Sequence, residues 1–79
     1  MHLCITGFLK GDSDDTALKY ELDVGLGSEQ AVLEVMGWKS LAESPDGEWL
    51  LTDEQSQRIA VAVDELLPSD LDLFIAVEA

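Results

Sequence analysis

The fold is decided by two stretches in which apolar and polar residues alternate: ALKYELDV at residues 17–24 and LDLFIAVE at residues 71–78. In the first stretch, every second residue is apolar: Leu18, Tyr20, Leu22 and Val24. In the second, the apolar series is Leu71, Leu73, Ile75 and Val77. Successive side chains of a strand point to opposite faces, so a period of two is typical of a strand with one buried face. Both stretches are therefore predicted to be half-buried strands.

A third strand is predicted at the N-terminus, over the apolar run His2–Leu9. A polar turn cluster at residues 10–15 separates this run from the alternating stretch at residues 17–24. Because a short turn joins the two strands, we expect them to pair antiparallel.

The first helix is predicted after the glycines at positions 25 and 27. Ser28 is a good N-cap, Glu29 suits the positive end of the helix dipole, and Gly37 favours a stop. The apolar face of this helix comprises Val32, Leu33, Val35 and Met36.

The second helix has a stronger start signal. Thr52 and Gln55 have the spacing of a capping box, and Pro68 prevents continuation of the helix. The predicted buried stripe consists of Ile59, Val63, Leu66 and Leu67, with Ala60 and Ala62.

Residues 38–51 admit two interpretations. Pro45 and Gly47 stand at the second and fourth positions of a type I turn over residues 44–47, which favours a small hairpin. An irregular segment held by Trp38 and Trp49 fits the same residues. The two tryptophans are expected either to fill the core or to anchor an interface, since aromatic residues dominate binding hot spots.

These elements predict one domain over residues 1–79 with an α+β fold. The expected architecture is a small two-layer sandwich, in which two helices pack on one face of an antiparallel or mixed sheet of three to five strands.

The net charge limits the classes of partner. Seventeen Asp and Glu oppose four Lys and Arg, giving a formal charge of −13 at pH 7. Binding of free nucleic acid or of an anionic membrane requires the cations that this chain lacks, so we expect neither. No apolar run reaches the ~20 residues of a membrane span, and the N-terminal run lacks the basic flank of a signal peptide. We expect a cytoplasmic protein.

The size of the charge also predicts a partner. Solubility of a small domain needs a net charge of only about 2 to 8. The excess destabilises the compact chain through self-repulsion. A homodimer or a bound basic protein would offset that cost, and both remain open.

Three patterns resemble catalytic or metal sites, and none is predicted to act as one. Residues 12–16 match a DxDxT phosphatase motif, but a turn separates them from the strand and the chain has no room for the rest of that fold. The same segment departs from a calcium loop at Ala17 and Asp23. Cys4 and His2 share a strand face, but no nearby residue orients either side chain. We predict no enzyme, no cofactor and no specific metal site, with Cys4 as a buried structural thiol.

The predicted contact groups for a basic partner are acidic residues on turns, on a strand face and at a helix start. They are Asp12, Asp14, Asp15, Glu21, Asp23, Asp46, Glu48, Asp53 and Glu54. Asp53 and Glu54 have a competing role, because carboxylates in a first turn stabilise the helix dipole.

In its size, acidity and lack of a catalytic constellation, the chain resembles the small anti-CRISPR proteins encoded by phages. Several of these imitate nucleic acid and occupy the basic groove of a type I surveillance complex. The resemblance covers the whole chain but carries no motif, so no residue inherits a role from it. It implies a non-enzymatic inhibitor of DNA binding in the host cytoplasm. Acidic immunity proteins that neutralise basic nuclease toxins, and a passive acidic housekeeping domain, are the alternatives.

Overall fold

The computed structural model describes residues 2–10, 17–44 and 47–78 of the chain. Along these residues the elements are β1 (His2–Leu9), β2 (Tyr20–Asp23), α1 (Leu26–Met36), β3 (Trp49–Leu50), α2 (Asp53–Val63) and β4 (Leu71–Glu78). The strands form one sheet in the order β2-β1-β4-β3, and every neighbouring pair is antiparallel. The predicted α+β fold, with two helices against an antiparallel sheet, is confirmed.

The core lies between the helices and one face of the sheet. Leu3 and Ile5 of β1 are fully buried, and Ile75 lies opposite Ile5 in β4. Val32 of α1 and Ile59 of α2 are also fully buried and belong to the same cluster. Because residues of one parity face the helices, residues of the other parity form the opposite surface of the sheet.

The strand β2 is shorter than the alternating pattern that predicted it. The Lys19 N–H donates to the Gly7 carbonyl at 2.8 Å and the Val24 N–H to the Leu3 carbonyl at 2.9 Å, which extends the pairing by one residue at each end. Leu18 lies outside this pairing and is exposed, contrary to the prediction that it joins the buried face.

The helix α1 begins before its predicted N-cap. Gly25, not Ser28, occupies the N-cap, and its carbonyl accepts the Ser28 N–H at 3.0 Å. Backbone geometry alone therefore starts the helix, which places Ser28 in the first turn. The predicted stop at Gly37 is confirmed, since Gly37 has a left-handed φ of 75°.

The helix α2 has the predicted start and an earlier end. The Gln55 N–H donates to Thr52 Oγ1 at 3.1 Å, and the Thr52 N–H donates to Gln55 Oε1 at 2.9 Å, so the capping box is confirmed. Asp64 ends the helix in the left-handed conformation, four residues before Pro68. Leu66 is 96% exposed, contrary to the prediction that it is buried, because the helical spacing stops before it.

Residues 38–44 form bends and a turn, and β3 lies within residues 47–51, so these described residues match neither the predicted hairpin nor an irregular segment held by both tryptophans. Trp49 and Leu50 pair with Ile75 and Phe74 of β4, so β3 adds an edge strand to the main sheet. Trp38 packs against the core cluster, whereas Trp49 is 44% exposed. Pro45 and Asp46 of the predicted turn lie outside the described residues.

Candidate functional site

The candidate site is the sheet surface turned away from the helices, here called the open face. Antiparallel partners that lie directly opposite each other project on the same side of a sheet, so the register defines the members of this surface. They are His2, Cys4, Thr6, Phe8, Glu21, Asp23, Leu50, Asp72, Phe74, Ala76 and Glu78.

The middle of the open face is apolar. Phe8 and Phe74 pack edge to face with ring centroids 5.8 Å apart, and both rings are half-buried. Leu50 stands opposite Phe74 and is 59% exposed, while Ala76 and Cys4 are small and buried beside them. A partly solvated apolar strip therefore lies on β1, β4 and β3, with its long direction along the strands.

Four carboxylates border this strip. Glu21 and Asp23 lie along β2, opposite Thr6 and Cys4. Asp72 and Glu78 lie at the two ends of β4, opposite Phe8 and His2. No residue within the bounds of the four described strands is a lysine or an arginine, and Lys19 lies directly before β2, where its N–H bonds to Gly7. The border therefore presents hydrogen-bond acceptors and negative potential around an apolar centre.

Three of these four carboxylates, those of Glu21, Asp23 and Glu78, lie close enough to the Cys4 thiol for their charges to act on it. The pKa of Cys4 is raised from 9.0 to about 11, first by burial and then by the charges of Asp23 and Glu21, a hydrogen bond with the Asp23 side chain and the charge of Glu78. Each of these groups disfavours a thiolate, and reactive cysteines need the opposite environment. At neutral pH the thiol stays protonated, which fits the predicted structural role.

Among the open-face residues that the described strand register defines, His2 alone has a side chain able to carry a positive charge. Its Nε2 lies 3.2 Å from Asp23 Oδ1, and the Asp23 side chain is 70% exposed. Solvent screens an exposed pair of this kind, so it contributes little to stability.

The structure divides the predicted contact residues between the two layers. Glu21 and Asp23 lie on the open face, whereas Asp53 and Glu54 are exposed in the first turn of α2, on the helix layer. Glu48 is exposed directly before β3. The remaining four predicted residues lie outside the described ones: Asp12, Asp14, Asp15 and Asp46.

Sequence reasoning missed two members of the acidic border, Asp72 and Glu78. The signal was present in the alternation of residues 71–78, which puts both on the polar side of that strand. Only the pairing of β4 with β1 brings them to the same surface as Glu21 and Asp23.

A depression lies between α2 and the start of β4, and Asp72 of the acidic border belongs to its lining. Its volume is about 520 Å³, and Leu51, Ala60, Leu67 and Leu73 line it together with Lys10. Within the described residues, no group of three or more His, Cys, Asp or Glu is arranged to hold a metal ion. Neither described helix is long and apolar enough to cross a membrane.

Comparison with family models, with curated proteins and with solved structures gave no match for this chain.

Proposed function

We propose that this chain is a non-enzymatic inhibitor that binds the basic, nucleic-acid-binding surface of a protein target through its open face. The observation that carries the proposal is the acidic border: Glu21, Asp23, Asp72 and Glu78 lie on the open face beside an apolar strip.

The chemistry of the border favours cationic side chains over other ligands. A carboxylate accepts two parallel hydrogen bonds from an arginine, which fixes geometry as well as adding attraction. Opposite potentials also steer the encounter and raise the association rate. Lysines and arginines that normally contact phosphates would meet carboxylates in this complex.

The target we propose is a DNA-binding subunit of a type I CRISPR surveillance complex, with the chain acting as an anti-CRISPR protein. The size of the chain and its charge of −13 support this choice. The competing target is a basic nuclease toxin, for which the same surface would serve an immunity protein.

The test compares two variants that each lose four negative charges. One neutralises the open face (E21Q, D23N, D72N and E78Q), and its matched control neutralises the helix layer (E34Q, D53N, E54Q and E65Q). DNA binding by purified type I surveillance complexes is measured with each protein at rising salt, and cleavage by basic nucleases is measured in parallel.

We expect the unmodified chain and the helix-layer variant to block DNA binding, and the open-face variant to lose this inhibition. Inhibition should weaken as salt rises, since screening reduces attraction between exposed charges. If the chain inhibits the basic nucleases but not the surveillance complexes, it would be assigned as an immunity protein. Equal inhibition by both variants, or inhibition that does not change with salt concentration, would refute binding through the open face.

A further inference from the structure

The apolar strip within the acidic border limits the shape of a partner that fits the open face, as the carboxylates limit its charge. We infer that the open face binds an amphipathic basic α-helix of the partner, which lies along β1 and β4 as a third layer of the fold. This inference rests on the proposed function, because it names the element that the same surface would recognise.

The dimensions of the strip match one helix. Neighbouring strands are about 4.8 Å apart, so the axes of β1 and β3, on either side of β4, are about 10 Å apart. An α-helix with its side chains is about 10 to 12 Å wide. Asp72 and Glu78 are six residues apart along β4, or about 20 Å, which a helix of about 14 residues spans.

The carboxylates stand where the flanks of such a helix would carry cations. Glu21 and Asp23 are two residues apart along β2, or about 7 Å. Residues three or four apart on a helix face are about 5 to 6 Å apart, so two lysines or arginines at that spacing reach both carboxylates. Asp72 and Glu78 would take cations near the two helix ends.

The apolar centre of the open face also favours a helix of a partner protein over the other possible binding partners. Leu50 and Ala76 offer no acceptor to the cations of a groove made only for phosphates, whereas leucine or phenylalanine side chains on a helix would cover them together with Phe8 and Phe74. A second copy of this chain is disfavoured, because two open faces in contact would bring eight carboxylates together around one interface.

A synthetic peptide serves as the probe. It has about 14 residues, with leucines on one helical face and lysines and arginines on its flanks, and a scrambled peptide of identical composition is its control. Affinities are measured by titration calorimetry at physiological salt, and the contacted residues by chemical shifts of the labelled protein. Light scattering of the protein alone reports any dimer.

We expect the amphipathic peptide to bind on the order of tenfold more tightly than the scrambled one, and to shift signals of Thr6, Phe74 and Ala76. Leu50→Ser should lower this affinity several-fold, because it removes an apolar contact of the open face. The matched control is Leu66→Ser, which changes an exposed leucine after α2 on the other layer and should have no effect.

The outcomes separate this inference from the proposed function. Equal affinity for both peptides, with loss of binding only in the open-face charge variant, would overturn the helix and leave the charge-driven function in place. Equal binding by the open-face charge variant and the unmodified chain would overturn both. If the protein alone forms a dimer and Leu50→Ser dissociates it, a second copy covers the apolar strip, and the inference would be overturned.

Discussion

Phe8 and Phe74 meet edge to face across β1 and β4, with ring centroids 5.8 Å apart and ring planes inclined at 74°. They are diagonal neighbours, since Phe74 lies opposite Thr6 and Phe8 lies opposite Asp72. Diagonal positions on paired strands remain within reach of aromatic side chains. The contact joins the two central strands on the face that carries no helix.

The first prediction concerns this aromatic pair. A double-mutant cycle with Phe8→Ala and Phe74→Ala should give a coupling of about 0.5 to 1.5 kcal/mol in the free energy of unfolding, because edge-to-face rings attract beyond the area they bury. Urea denaturation measures it. Phe8→Ala combined with Leu26→Ala, on the helix layer, should instead be additive within about 0.5 kcal/mol. Additivity of the two phenylalanine changes would contradict the contact.

The second prediction concerns stability at alkaline pH. The folded chain raises the pKa of Cys4 from 9.0 to about 11, so the folded state holds this proton more tightly than the unfolded state. The stabilisation that the folded state gains by holding this proton is therefore complete below pH 9 and is lost as the pH rises to about 11. The expected fall in the free energy of unfolding is on the order of 2 kcal/mol. Burial first, and then Glu65, raises the pKa of Tyr20, which acts in the same direction.

Urea denaturation between pH 7 and 11 checks this prediction. Cys4→Ala should flatten the fall in stability between pH 9 and 11, whatever its effect at neutral pH. Parallel curves for the two proteins would show that Cys4 does not contribute to the pH dependence.

The third prediction concerns a close approach at Gly7. A Cβ placed there would lie 3.0 Å from Tyr20 Cβ and from Leu71 Cδ1, and the Tyr20 atom is fixed to its backbone. We expect Gly7→Ala to destabilise the chain by about 1 to 3 kcal/mol through overpacking. The control is Gly27→Ala, which meets no atom within 4 Å inside α1 and should stabilise by about 0.5 to 1 kcal/mol. Thermal unfolding of both variants measures the contrast, and a neutral Gly7→Ala would contradict it.

The fourth prediction concerns the capping box of α2. Thr52→Ala removes the acceptor of the Gln55 N–H and should cost about 1 kcal/mol of unfolding free energy. Gln57→Ala, an exposed change in the same helix, should lie within about 0.5 kcal/mol of the unmodified chain. A chemical denaturation series checks the pair, and equal stabilities would mean that the cap is not formed in solution.

The fifth prediction concerns Asp64, which ends α2 with a left-handed φ of 55°. Its carboxylate also lies at the negative end of the helix dipole, which disfavours it. Asp64→Asn should remove the charge penalty, worth about 0.3 to 1 kcal/mol, and Asp64→Gly should in addition remove the strain of a Cβ in this conformation. Melting temperatures should therefore rise from Asp to Asn to Gly. A lower melting temperature for the glycine variant would contradict the assigned backbone conformation.

Periodicity predicted the strands where one face is buried along the whole element. The bounds of β4 match its alternating pattern, because Leu73 and Ile75 contact the core in alternation. The bounds of β1 match the continuous apolar run that predicted it, and Leu3 and Ile5 of this run lie in the core. Periodicity failed at Leu66, where the apolar residue follows the helix end and no neighbour covers it.

Local sequence signals gave the wrong element bounds or pairing where backbone hydrogen bonds or a strand distant in the chain determine the structure. Gly25 starts α1 through its carbonyl, which no side-chain rule identifies. Trp49 and Leu50 pair with β4 and not with residues 38–44, because the long strand offers a free edge that the short turn region does not.

The sequence by itself determined the α+β class, the three longer strands, the two helices and the charge, since these follow from local periodicity, capping residues and composition. The tertiary structure alone decided which carboxylates share a surface. Asp72 and Glu78 join Glu21 and Asp23 because β1 lies between β2 and β4, whereas Asp53 and Glu54 are carried to the other layer. Residues far apart in the chain acquire a common face only through strand register, and register is set by pairing between distant strands.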